Sequence, residues 1–67
     1  MKLAKAAIKI TQPDTGKVCW FAGWTDHEMF LPQFSAAPVV FSLRYAKLAA
    51  DRLKHFYPLV TVVGVRA

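Results

Sequence analysis

A small α+β domain of order ββαβ is what this sequence predicts, and three observations carry the prediction. Residues 3–11 alternate apolar and polar side chains in the manner of a half-buried strand. Residues 42–58 place Ala46, Ala49, Leu53, Phe56 and Tyr57 on one side of a helical projection, with Leu43 and Ala50 at its margin. Residues 59–66 then form a valine-rich run suited to a strand. At 67 residues the chain supports one domain spanning residues 1–67, since a chain this short buries only about 60% of its unfolded surface. The expected architecture is a three-stranded, mainly antiparallel sheet with one helix packed on one face.

In the first strand Ala4, Ala6, Ile8 and Ile10 point one way and Lys5, Lys9 and Thr11 the other. Gln12, Pro13, Asp14, Thr15 and Gly16 supply hairpin-loop chemistry, with proline fixing φ early and glycine able to close the loop in a left-handed conformation. The second strand, Lys17 to Thr25, carries Val18, Trp20, Ala22 and Trp24 on one face and Cys19, Phe21 and Gly23 on the other. Both faces are apolar, but a single helix covers only one. The other is a candidate surface for self-association, as a homodimer through the open sheet face, or for a partner.

Asp26 to Phe41 contains Pro32 and Pro38 and has no clear period, so it reads as a connection with a turn of helix around Asp26 to Phe30 and a short strand at Val39 to Phe41. Its apolar residues, including Met29, Phe30, Leu31 and Phe34, require partial burial. Ser42 is a good N-cap because its hydroxyl accepts from an orphan amide of the first turn, and Pro58 stops the helix after Tyr57. A right-handed crossover through the helix then places the first strand in the middle, with the last strand parallel to the second. Gly64 marks a bulge or a close approach in that last strand.

The apolar fraction of 55% exceeds the usual range of about 45–50%, which argues against disorder and suggests apolar surface buried in a complex. Of the net charge of +5, residues 1–17 carry +3, residues 18–41 carry −2 and residues 42–67 carry +4. Such a field suits nucleic acid or an acidic protein, and equally serves solubility. The single cysteine, Cys19, makes an internal disulfide impossible and points to a reducing compartment. Lys5 and Lys9 interrupt the apolar run that a signal peptide needs, and no apolar run approaches the about 18 residues of a membrane span. The expectation is a cytoplasmic protein with no membrane association.

No catalytic, cofactor or metal constellation emerges. Cys19, His27 and His55 lie on three different elements without zinc-ligand spacing, and turn chemistry explains Asp26 beside His27 and Glu28. Gly16, Gly23 and Gly64 do not form a phosphate loop. Two binding surfaces remain. The side of the helix opposite the core stripe carries Arg44, Lys47, Leu48, Arg52, Lys54 and His55, which reads either as a solvated face or, together with the adjacent hydrophobic loop, as a contact patch for a macromolecular partner. Alternatively Lys5, Lys9 and Lys17, with Phe21 or Trp20 as a stacking platform, suit single-stranded RNA or DNA, although no RNP-type run is present.

The pattern resembles a loose group of very short proteins of bacteriophages and prophages. The resemblance rests on Gly16 and Lys17 at the hairpin turn, an aromatic strand ending in Trp24, Thr25 and Asp26, Phe41 before a helix containing Ala46 and Ala50, and a closing valine-rich strand. It covers most of the chain apart from the Met29 to Val40 insertion. It implies a non-enzymatic accessory protein, with inhibitors of host defence complexes of the anti-CRISPR kind among the possibilities. A host protein complex is the partner so implied. The positive charge does not suit DNA mimicry, so inhibition would proceed by contact with a protein surface or by competition for nucleic acid.

Overall fold

The structure, a computed structural model, describes residues 5–65. The chain runs β1 (Lys5–Thr11), β2 (Val18–Trp24), β3 (Pro32–Ser35), β4 (Phe41–Ser42), α1 (Leu43–Leu53) and β5 (Val60–Val65). The α+β class and the single helix agree with expectation, whereas the sheet has five strands rather than three. Leu3, Ala4 and Arg66, assigned to strands from sequence, lie outside the described residues.

β1 is the central strand. β5 lies antiparallel along one edge from Lys5↔Val65 to Ile10↔Val60, and β2 is antiparallel on the other edge, so β5 runs parallel to β2 as the crossover rule requires. The hairpin between β1 and β2 closes with the Gly16 amide donating to the Gln12 carbonyl at 2.8 Å and Gly16 at a φ of 71°.

The two additional strands share the β2 side; β3 lies where only a connection was expected, and β4, at Phe41–Ser42, overlaps the short strand expected over Val39 to Phe41 only at Phe41. β2 pairs with β1 only over Val18 to Trp20, and β4 occupies the remainder of that edge through Lys5↔Ser42 and Ala6↔Phe41. The diverging part of β2 pairs with β3 at the outside of the sheet. β3 escapes a periodicity reading because it has four residues and begins with proline, which is tolerated in the first position of an edge strand. The second β2 surprise is a register shift between Phe21 and Gly23, with Gly23 at a φ of 128°. One extra residue in β2 reverses the alternation. Trp24, expected on the Trp20 face, therefore joins Phe21, with ring centroids 4.8 Å apart in an edge-on arrangement.

Ala6, Ile8, Ile10 and Phe21 of the sheet and Ala46, Ala49, Ala50 and Leu53 of the helix form the core. Small alanines let α1 approach the sheet closely, and Phe21 fills the gap where β2 and β4 part, 5.5 Å from the Phe41 ring. Ser42 is the N-cap, its hydroxyl accepting from the Tyr45 amide at 3.2 Å. The C-terminus departs from expectation: α1 ends at Leu53, and Lys54 to Phe56 form turns closed by tight bonds such as His55 N–H to the Arg52 carbonyl. Ala50 is fully buried, whereas Phe56, expected in the core stripe, is 49% exposed because the chain has left the helical path by then.

Candidate functional site

Thr25 to Leu31, which joins β2 to β3, is a built turn rather than a helical one. Asp26 organises it: the Phe30 and Leu31 amides both donate to Asp26 Oδ1 at 3.0 Å. The Thr25 amide and hydroxyl both donate to the Leu31 carbonyl at 2.8 Å, closing the loop. Met29 sits at a φ of 60°, a left-handed conformation that costs a side-chain-bearing residue about 1–2 kcal/mol and that the surrounding bonds hold in place. The turn thrusts Phe30 and Leu31 outward.

The turn packs against the end of α1 through Arg52. The guanidinium lies 4.3 Å from the centre of the Phe30 ring and 5.6 Å from that of Phe56, and Arg52 Nε donates a long 3.4 Å bond to the Met29 carbonyl. Phe30 and Phe56 meet edge-on at 6.5 Å. Arg52 was expected among the free cations of the helix face; it is instead half-buried and engaged within the molecule. The β2–β3 turn packed on it covers Arg52, whereas Arg44, Lys47, Asp51, Lys54 and His55 are all exposed.

Leu48 and Tyr45 precede Arg52 by one and two turns on this same flank. Leu48 is 58% exposed and Leu31 60%, and Phe30 and Phe56 are each about half exposed. The result is an apolar and aromatic ridge drawn from the helix, its C-terminal turn and the β2–β3 turn, with Arg44 next to Leu48 on the helix surface, and Lys47 and Lys54 farther round α1, away from Arg52. The Tyr57 and Phe34 rings, 5.5 Å apart, continue the aromatic layer between the segment after α1 and β3. Arg44, Lys47 and Leu48 share the exposed side of α1, and the hydrophobic loop expected beside it supplies Phe30 and Leu31. Phe56, expected in the core stripe, is the addition, because the helix ends before it.

The nucleic-acid residues divide. Phe21 is 0% exposed and sealed beneath the helix, so it offers no face to a base. Lys5 and Lys9 lie on the opposite, helix-free face of the sheet, and Lys17 is exposed beside the hairpin loop. Lys9 is directly across from Trp20. Because the Gln12 amide donates to the Lys17 carbonyl at 2.8 Å, the Lys9–Trp20 pair three steps along falls at a non-hydrogen-bonded position, where side chains stand closest. Trp20, not Phe21, is the aromatic side chain beside these lysines.

Among the described residues, no three His, Cys, Asp or Glu side chains gather in one place, and no helix is long and apolar enough to cross a membrane. Cys19 is half-buried against the core. The sequence matches no protein-family profile and no curated protein, and the fold matches no solved structure.

Proposed function

We propose that this chain is a non-enzymatic interaction module that docks on another protein through the ridge formed by α1 and the β2–β3 turn. The observation that carries the reading is the mutual packing of Arg52, Phe30 and Phe56 at the surface. Isolated exposed apolar side chains are ordinary, but here two aromatic rings from different segments are fixed by one arginine beside exposed Leu31 and Leu48. Aromatic and arginine side chains dominate binding energy at protein interfaces, and holding them in place before contact lowers the entropy cost of association. Arg44 beside Leu48, with Lys47 and Lys54 farther round the helix, favours a partner with acidic groups near this face.

Occlusion of a host defence complex is one form such docking takes, and it rests on the sequence resemblance to phage accessory proteins. The test is capture of partners from host lysate by the wild type and by an Arg44→Glu/Leu48→Glu variant, which alters two exposed positions and spares Arg52. The variant should lose the specific partner while keeping its fold by circular dichroism. Recovery of the same proteins by both would count against the ridge.

A second reading is favoured by one observation, the Lys9–Trp20 pair on the helix-free sheet face, which provides a cation and a ring side by side for single-stranded RNA or DNA. It predicts an affinity that falls steeply with salt and that Trp20→Ala weakens. Absence of a gel shift at low ionic strength would dismiss it.

A further inference from the structure

We infer that β5 pairs with the β5 of a second copy of this chain, joining two sheets into one continuous sheet across a two-fold axis at Val62. This goes beyond the proposed docking ridge and uses a different part of the molecule. β5 is bonded to β1 on one side, and on its other side no described strand pairs with it. Which of its backbone groups face outward follows from the ladder. The Thr11 amide donates to the Leu59 carbonyl at 3.0 Å, so in the register Lys9↔Thr61, Ala7↔Val63 and Lys5↔Val65 the β5 residues Thr61, Val63 and Val65 direct their amides and carbonyls to β1. Val60, Val62 and Gly64 therefore direct theirs away from it. No backbone partner outside the β1 ladder is present for these three residues.

That set of groups is complementary to itself. An antiparallel copy placed with Val62 opposite Val62 brings Val60 opposite Gly64 and Gly64 opposite Val60. All three are then hydrogen-bonded pairs, so every outward amide and carbonyl of both strands finds a partner, with none left over. A shift of the register by two residues leaves the end groups of each strand unmatched. The side chains agree with this arrangement. Thr61 stands opposite the copy's Val63 at a non-hydrogen-bonded position, where two β-branched side chains pack closely.

The edge lacks the usual guards against such pairing. Val60 to Val65 contains no charged residue and no proline, and its ladder with β1 is unbroken by any bulge. A peptide strand from another protein would gain specificity from pockets for its alternating side chains beside the edge, and the described residues form no such cavity. A second copy needs only the edge itself. The net charge of +5 on each copy opposes association at low salt, so pairing should strengthen as salt screens it. That trend is opposite in sign to nucleic-acid binding.

Amide exchange and a register-specific crosslink test the inference on the full chain. At millimolar concentration and moderate salt, sedimentation should give twice the 7.5 kDa monomer mass, and the Val60, Val62 and Gly64 amides should be as protected as those of Thr61, Val63 and Val65. In a Cys19→Ala background, an oxidised equal mixture of Thr61→Cys and Val63→Cys chains should form a heterodimeric disulfide, because non-hydrogen-bonded partners lie within disulfide range. Thr61→Cys alone should crosslink far less, since its two copies sit diagonally. A monomeric mass under these conditions with fast exchange at Val60, Val62 and Gly64 would overturn the inference. So would protection of those amides only after addition of a strand-forming peptide, or equal crosslinking by the mixture and by Thr61→Cys alone.

Discussion

The two faces of the sheet carry comparable apolar material and put it to different uses. On the helix-bearing face, Phe21 packs against Trp24 on one side and Phe41 on the other. On the helix-free face, Trp20 stands beside Lys9, and Thr61 lies across β1 from it, with no described helix or strand above them. The same strand, β2, supplies one tryptophan to each face, four residues apart. Uninterrupted alternation would put both on one side, so a single inserted residue at the bulge decides which tryptophan is structural and which is available. Commitment within the molecule, not residue type, separates the fold from the surface.

The largest break in that comparison should come from truncation on the enclosed face. Phe21→Ala should destabilise the domain by about 3–5 kcal/mol in a denaturant titration, because it empties a fully buried aromatic site. Trp20→Ala should cost less than half as much, since its ring is only half-buried. Equal losses would mean that the outer face is as tightly enclosed as the inner one.

A smaller effect is expected at the bulge. Gly23 has a φ of 128°, and an added Cβ would meet nothing within 4 Å, so the demand for glycine is conformational rather than steric crowding. Gly23→Ala should cost about 1–3 kcal/mol. If the strand instead relieves the strain by losing the bulge, Trp24 moves to the open face, and tryptophan emission should shift to the red.

The same contrast between engaged and free groups applies to two arginines of one helix. Arg52→Ala should cost about 1–2 kcal/mol through loss of its ring contacts and stem packing. Arg44→Ala, at an exposed position, should stay within about 0.5 kcal/mol. Similar values for both would remove the reason to treat the Arg52 cluster as prebuilt.

Much of this arrangement is readable from the chain itself, for reasons that differ by element. β1 and α1 are legible because strict alternation and the 3.6-residue period each leave one apolar face, and Ser42 marks the helix start chemically. The central position of β1 follows from the handedness of the crossover. β3 is hidden because four residues are too few for a period, β4 is only partly anticipated by the short strand read at Val39 to Phe41, and the pairing of both depends on where β2 diverges. The helix end was misplaced because Pro58 gives only the latest possible stop; the tightened turn after Leu53 depends on tertiary packing. For the candidate site, the exposure of Arg44, Lys47 and Leu48 follows from the helical projection alone. The role of Arg52 does not, because it depends on a turn whose position is set by a β2–β3 hairpin that the sequence conceals.

The pairing of β1 with β5 also governs when the domain can form. Lys5 meets Val65, so the central strand gains its longest partner only from the last segment described. Contacts this distant in sequence slow folding, since the intervening chain must be ordered before they reward it. During synthesis the β1–β2 hairpin can assemble early, but the sheet waits for residues 60–65 to clear the ribosome. Until then the apolar edge of β1 is open, and for a basic chain of this composition that interval is when neighbouring chains or a chaperone would compete for it.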